Sequence, residues 1–267
     1  MVALITIRLA QPWPWAFYLV GGSGFVWLFF WLPIYRRPQE HPWVSRSELG
    51  YILSDQQDAA ATKISWLKLL PHRQTWSFIL GKLCIDPVWW FWLFWAPDVF
   101  QRRFGMSLSQ IVLPILIICL VSDVGSVLGG WFSSALIARG IAVNLARKTV
   151  MLISALSVAP VVFAVRTEHA WVAVALISLA AAAHQAFSAN LFTLPSDMFP
   201  GRAVGSVVGI GGAAGGLGGF VIANTVGHVL QRTGSYMIPF SIAASAYLIA
   251  LLLIHMLSPQ LTPARVG

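Results

Sequence analysis

The sequence predicts an all-α protein that crosses a lipid bilayer about seven times, and three observations carry that prediction. Hydrophobic residues fill 58% of the 267 positions and charged residues only 10%, too few to give the chain a polar surface in water. Thirteen Trp and 16 Phe suit helices bathed in lipid and anchored at its edges better than a water-soluble core. Apolar runs near the ~20 residues that a helix needs to span the hydrocarbon recur along the chain, separated mostly by short basic connectors. A β-barrel would satisfy its backbone in lipid equally well, but these runs lack its polar–apolar alternation.

Trp13 to Ile34 is the first span. Before it, Val2 to Ile7 is too short for the apolar core of a signal peptide, and Arg8 follows it rather than preceding it, so the first span must direct insertion. The long connector Tyr35 to Arg73 comes next. In it, Ser45-Arg46-Ser47-Glu48 has capping-box spacing ahead of Leu49, Ile52 and Leu53, which predicts a short helix. Trp66, Leu67, Leu69 and Leu70 among Lys63 and Lys68 predict a second helix lying on the membrane surface.

The second span, Gln74 to Pro97, holds Lys82 and Asp86 four residues apart on one face, which Trp89, Trp90 and Leu93 continue. Pro87 is expected to disturb the helix beside Asp86. Charges within a span are costly unless paired or hydrated, so the alternatives are a polar-solute site and a purely structural Lys–Asp pair. The third span, Ser109 to Ala135, carries Asp123 and runs into Gly129-Gly130-Trp131-Phe132-Ser133-Ser134. Arg139, Gly140, Arg147 and Lys148 follow in a turn, placed to hold a neighbouring helix end or carboxylate and so lock one conformation; obedience to the positive-inside rule is the alternative.

Thr149 to Val165 is the fourth span and Ala170 to Leu194 the fifth. His184, Gln185, Ser188 and Asn190 put four polar side chains within two turns of an Ala- and Leu-rich helix; they should face the bundle interior, for solute contact or for interhelical hydrogen bonds. Asp197 lies past Pro195 at the mouth, in a capping or gating position. The sixth span, Ala203 to Leu230, contains Gly205, Gly209, Gly211, Gly212, Gly215, Gly216, Gly218 and Gly219, which predict close helix packing. Gly209 to Ala214 formally fits a dinucleotide fingerprint, but no strand precedes it and no acid follows about 20 residues on. The seventh span, Met237 to Leu257, has no lysine, which argues against a retinal protein.

Lys and Arg divide unevenly between the two sides that these spans define. Arg36, Arg37, Arg46, Lys63, Lys68, Arg73, Arg139, Arg147, Lys148, Arg202 and Arg265 share one side; Arg8, Arg102, Arg103, Arg166 and Arg232 share the other. The richer side is read as cytoplasmic, with the N-terminus outside and the C-terminus inside. This distribution also accounts for the basic balance without nucleic acid, since no contiguous basic surface with interleaved aromatics exists. Cys84 and Cys119 sit inside apolar runs and read as small core residues. No cofactor and no metal are expected, and no catalytic constellation is present, so the chain is not read as an enzyme.

Several segments together resemble the carboxyl half of a major facilitator superfamily transporter, within the anion:cation symporters close to hexuronate transporters. They are Tyr35 to Pro42, Asp86-Pro87-Val88-Trp89-Trp90-Phe91, Gly130 through Gly140, His184 to Thr193 with Ser196-Asp197-Met198-Phe199-Pro200, and Ala203 to Gly209. The resemblance runs from about Trp13 to the end of the chain. It implies a partial superfamily fold: residues 1–34 the last helix of a truncated amino-terminal half, 35–73 the central cytoplasmic loop, and 74–267 a six-helix bundle of two inverted three-helix repeats.

The resemblance further implies proton-coupled carriage of a small organic anion, such as a hexuronate, by alternating access in a bacterial inner membrane. Lys82 would attract the carboxylate, with Asp86, Trp89, Trp90, His184, Gln185 and Asn190 around it; Asp123, Arg139, Gly140, Arg147, Lys148 and Asp197 would gate. The family usually places its coupling acids and main anion-binding arginine in the half not represented here. The carboxylate position of its loop signature carries Ser134. Membrane lipid, and either a separately encoded amino half or a second copy, are the implied partners. An inactive half-carrier, and a seven-helix receptor or membrane enzyme, are the alternative readings.

Overall fold

The computed structural model describes residues 12–54 and 64–266. All regular elements among them are helical, and seven are long and apolar enough to cross a membrane. Contacts divide the chain into two units, Met1–Ala61 and Thr62–Gly267.

The first unit contains α1 (Pro12–Ile34) and α2 (Arg46–Ser54). α1 carries large apolar side chains on all sides, the pattern of a helix in hydrocarbon rather than at a water interface. α2 starts where the capping spacing put it, with the Glu48 amide donating to Ser45 Oγ at 3.2 Å.

The second unit is a bundle of α3 (Arg73–Phe104), α4 (Leu108–Ala138), α5 (Val143–Val158, continued as a 3-10 helix Ala159–Val165), α6 (Ala170–Met198), α7 (Gly201–Thr233) and α8 (Met237–Leu257). Most spans outrun their sequence bounds because polar turns cap them beyond the apolar run. α3 ends at Gly105, whose left-handed φ of 64° lets its amide and that of Met106 close on Gln101 and Phe100. α4 opens with a capping box, the Ser107 amide donating to Gln110 Oε1 at 2.8 Å.

Two local expectations are corrected. α3 runs unbroken through Pro87, because the α7 and α8 helices packed on it hold the turn that has lost one backbone bond. Trp66 to Leu70 do not form a surface helix: Trp66–Lys68 is a single 3-10 turn, after which Leu69 is fully buried in the bundle and its carbonyl accepts from Thr75 Oγ1 at 2.7 Å. Lys63 lies outside the described residues.

Packing within the bundle has an exchange symmetry. α3 packs most extensively on α7, and α6 on α4; the next largest contacts are α3 with α8 and α6 with α5. Swapping the triplet α3–α5 for α6–α8 maps each of these four contacts onto its counterpart, the pattern that two three-helix repeats produce. Glycines make both principal contacts possible. A Cβ on Gly125 or Gly129 of α4 would run into the backbone of Ala182 or Ala186 of α6. On α7, Gly211, Gly215, Gly218 and Gly219 face Phe78, Asp86, Pro87 and Trp90 of α3 at similar closeness. Gly205, Gly209, Gly212 and Gly216, on the other side of α7, meet nothing within 4 Å. The sequence signal for packing therefore holds for one glycine stripe of the two.

This difference is testable in detergent. Gly125→Val should lower the melting temperature by an amount equivalent to about 1–3 kcal/mol of overpacking, whereas Gly212→Val should leave it close to wild type. Equal melting of the two variants, followed by fluorescence-detected size exclusion, would mean that α4 and α6 do not meet at Gly125.

Candidate functional site

Lys82 and Asp86 lie one turn apart on α3, and the Lys82 ammonium reaches Asp86 Oδ2 at 2.8 Å. Both are withdrawn from solvent, with side chains 8% and 16% exposed. The ammonium also stands 4.2 Å from the centre of the Phe192 ring on α6, a cation–π contact that offsets part of its desolvation. From α7, Gly215 comes so close to the Asp86 carboxylate that any side chain there would collide with it.

One turn along α3, Trp89 stacks on His184 of α6, centroids 4.9 Å apart and planes within 11°. His184 Nδ1 shares a 2.7 Å hydrogen bond with the hydroxyl of Tyr247 on α8, and that tyrosine is fully buried. The structure thus brings Lys82, Asp86 and Trp89 of α3 to the same side as His184 of α6, with Tyr247 of α8 behind it. Trp90 is on the adjoining face of α3, stacked on Phe94 and lying over Gly219.

Gln185 and Asn190 are placed apart from this group. Gln185 is half-buried on α6 and makes no side-chain hydrogen bond among the described residues. Asn190 is fully buried where α6 meets α4; its amide donates to Gly129 O at 3.1 Å and to Ala186 O at 2.9 Å, and its Oδ1 has no partner.

The residues expected to gate separate likewise. Arg147 on α5 reaches Asp197 on α6 at 3.4 Å and Ser133 on α4 at 2.8 Å, so one guanidinium joins the ends of three helices. The carboxylate that meets this arginine comes from α6, not from the position that Ser134 occupies. Lys148 instead donates to the carbonyls of Ser258 and Pro259 at 2.6 and 2.8 Å, holding the residues after α8 in place. Arg139 caps the end of α4, Gly140 turns the chain with φ 86°, and Asp123 is exposed on α4. At the opposite end, Asp98 accepts from Arg102 and from Tyr236, tying α3 to the start of α8; burial, then this carboxylate, raises the Tyr236 phenol above its ordinary range.

Sequence reading missed Tyr247, Phe192 and Ser133. Tyr247 had a signal: a phenol in the middle of an otherwise apolar span needs a buried partner. An apolar cavity of about 490 Å³ between α3, α7 and α8, lined by Cys84, Pro87, Phe91, Leu217 and Ile242 among others, contains none of the predicted site residues.

A six-helix bundle whose main contacts repeat between helix triplets, with a charged pair within a span, fits a carrier architecture. The family model of the Major Facilitator Superfamily matches residues 2–221. The chain belongs to that superfamily, whose members are transporters and not enzymes. It is 28% identical to the D-galactonate transporter of Escherichia coli O6:H1 (strain CFT073) over 86% of this chain and 56% of that one. To the hexuronate transporter of Escherichia coli K12 it is 30% identical, over 84% and 53%. It therefore spans a little over half the length of these relatives. Among solved structures, a bacterial homologue of the human lysosomal transporter Spinster, inward-facing and unoccupied, superposes with a TM-score of 0.56 at 18% identity, covering 93% of this chain and 58% of that one. That likeness supports the fold.

The His184–Tyr247 bond can be isolated by a double-mutant cycle. Tyr247→Phe should destabilise the detergent-solubilised chain by about 1–3 kcal/mol, the cost of stranding a buried polar group, and much less in a His184→Ala background. Strictly additive losses would mean that the two side chains do not interact.

Proposed function

We propose that this chain supplies one wall of the cavity of a carrier for small organic anions of the sugar-acid class, moving them by alternating access with protons as the driving ion. The observation that carries the reading is Lys82: an ammonium within a span, nine-tenths buried, with one ionic partner and the Phe192 ring beside it, and Trp89 one turn beyond that partner on the same helix. A carboxylate gains a charge-assisted hydrogen bond there, and a sugar ring finds flat apolar faces to lie against. The names of the galactonate and hexuronate relatives point to the same class of solute.

The other wall comes from an amino-terminal half, encoded separately or supplied by a second copy. In this reading residues 1–34 are the last helix of that half, 35–73 the loop between halves, and 74–267 the carboxyl-terminal bundle. The Arg147 end faces the cytoplasm of a bacterial cell, because its loops carry the excess of Lys and Arg. There the Arg147–Asp197–Ser133 junction ties three helix ends into one rigid block. Such a block can rock as a unit while contacts of its rim, Arg139 among them, open and close.

To test the reading, the chain is co-expressed with the amino-terminal half of the E. coli hexuronate transporter, and uptake of labelled galacturonate is followed. Lys82→Ala should weaken apparent affinity by roughly thirtyfold, the equivalent of about 2 kcal/mol for a lost bond to a charged group. Wild-type affinity in that variant would put the anion elsewhere.

A further inference from the structure

We infer that Lys82 and Asp86 are a proton-for-anion exchange pair: an incoming carboxylate takes the place of Asp86 on the Lys82 ammonium, and Asp86 takes up a proton. The inference rests on the sugar-acid reading above and gives this half of the carrier a coupling carboxylate of its own. The step conserves charge and atoms. One ionic contact, Lys82 to Asp86, breaks; one, Lys82 to the solute carboxylate, forms; and the proton that comes in from water ends on the Asp86 carboxyl. The site holds no net charge before or after.

Four features of the pair fit exchange better than scaffolding. First, both partners are on α3, so their bond joins no two helices. The ion pair that does scaffold the bundle, Arg147 with Asp197, bridges α5 and α6. A buried ion pair whose ionic bond joins no two helices is replaceable by apolar side chains at little or no cost to stability, so that bond by itself does not account for its presence.

Second, the Lys82 ammonium has three N–H donors and, among the described residues, one acceptor. Its other close neighbour, the Phe192 ring, attracts the charge without accepting a conventional hydrogen bond. Two donors are thus left to take an anion. Third, Asp86 uses Oδ2 toward Lys82, while Oδ1 has no hydrogen-bond partner among the described residues and is not sealed from the surface. That oxygen is the one a proton can reach. The carboxylate rests against the bare backbone at Gly215, so no neighbouring group takes over its charge when Lys82 leaves.

Fourth, among the ionisable groups of the helices around Lys82, Asp86 is the carboxylate that pairs with it; Asp123, on α4, is exposed and forms no ion pair among the described residues. α7 presents no ionisable side chain between Arg202 and His228. From α6 the facing group is His184, closed off by its stack on Trp89 and its bond to Tyr247; from α8 it is Tyr247 itself, held in the same bond. Cys84, also on α3, lines the separate apolar cavity. A carboxylate stripped of its ammonium in surroundings of low polarity binds a proton rather than remain ionised there.

The test uses the full chain in lipid nanodiscs. Galacturonate binding is followed by tryptophan fluorescence, since Trp89 and Trp90 flank the pair, and by calorimetry in two buffers of different ionisation heat. The wild type should take up about one proton per anion bound, and its affinity should fall about tenfold per pH unit on the alkaline side. In D86N, an isosteric change, binding should lose both the proton uptake and the pH dependence. D86E, which restores an acid, should regain both. Wild-type binding without proton uptake, or D86N binding with unchanged pH dependence, would overturn the exchange.

Acetate separates this failure from failure of the solute class. A protonated-carboxyl band that appears in infrared difference spectra on adding acetate, and is absent in D86N, supports the exchange even if galacturonate does not bind. In that case it is the sugar-acid reading that falls. Neither anion binding at any pH would remove both.

Discussion

Lipid offers two helices no hydrophobic gain on association, because the acyl chains they leave are as apolar as the side chains they meet. What holds this bundle is close approach, and close approach is set at glycines. Where Gly125 and Gly129 let α4 settle on the Ala182 and Ala186 backbone, Asn190 comes within 3.1 Å of the Gly129 carbonyl and stitches the pair. Where Gly215 lets α7 settle on α3, room is left for the Asp86 carboxylate and for nothing larger. The two contacts are equivalent under exchange of the helix triplets, yet one encloses a neutral amide and the other an ion pair. The repeat supplies the frame; the chemistry lies in the difference.

That difference sorts the charged residues of the bundle by what they connect. Arg147, Lys148 and Asp98 each reach a residue on another element, and each lies near a helix end, where water and headgroups soften the cost of charge. Lys82 and Asp86 lie several turns from either end of α3 and reach only one another among the ionisable groups. A mid-span pair whose ionic bond stays within one helix is a poor brace, and that is the property on which the proposed exchange rests. The three-helix junction at Arg147 is the opposite case, since its bonds tie the ends of α4, α5 and α6 together.

The open stripe of Gly205, Gly209, Gly212 and Gly216 shows how far local sequence can carry such an argument. Both glycine stripes of α7 have the spacing for close packing, and only one is used within this unit. The same holds for the polar residues of α6. His184, Gln185 and Asn190 are near neighbours in sequence, but helix geometry sends His184 to Trp89 and Tyr247, Asn190 to α4, and leaves Gln185 without a side-chain hydrogen bond among the described residues.

The sequence by itself determined the solvent, the number of spans and the pairing of Lys82 with Asp86, since hydropathy, helix pitch and i,i+4 spacing are local and need no partner helix. It also carried the family, through motifs that are contiguous. Tertiary structure alone decided that Tyr247 would close off His184, that Phe192 would lie under the Lys82 ammonium, and that Asp197 rather than a residue of the loop would meet Arg147. Each of those contacts joins positions that are tens of residues apart, on helices whose rotation about their own axes is fixed only when glycine stripes seat against their neighbours. The continuity of α3 through Pro87 belongs with them: the proline's effect is local, but the packing that overrides it is not.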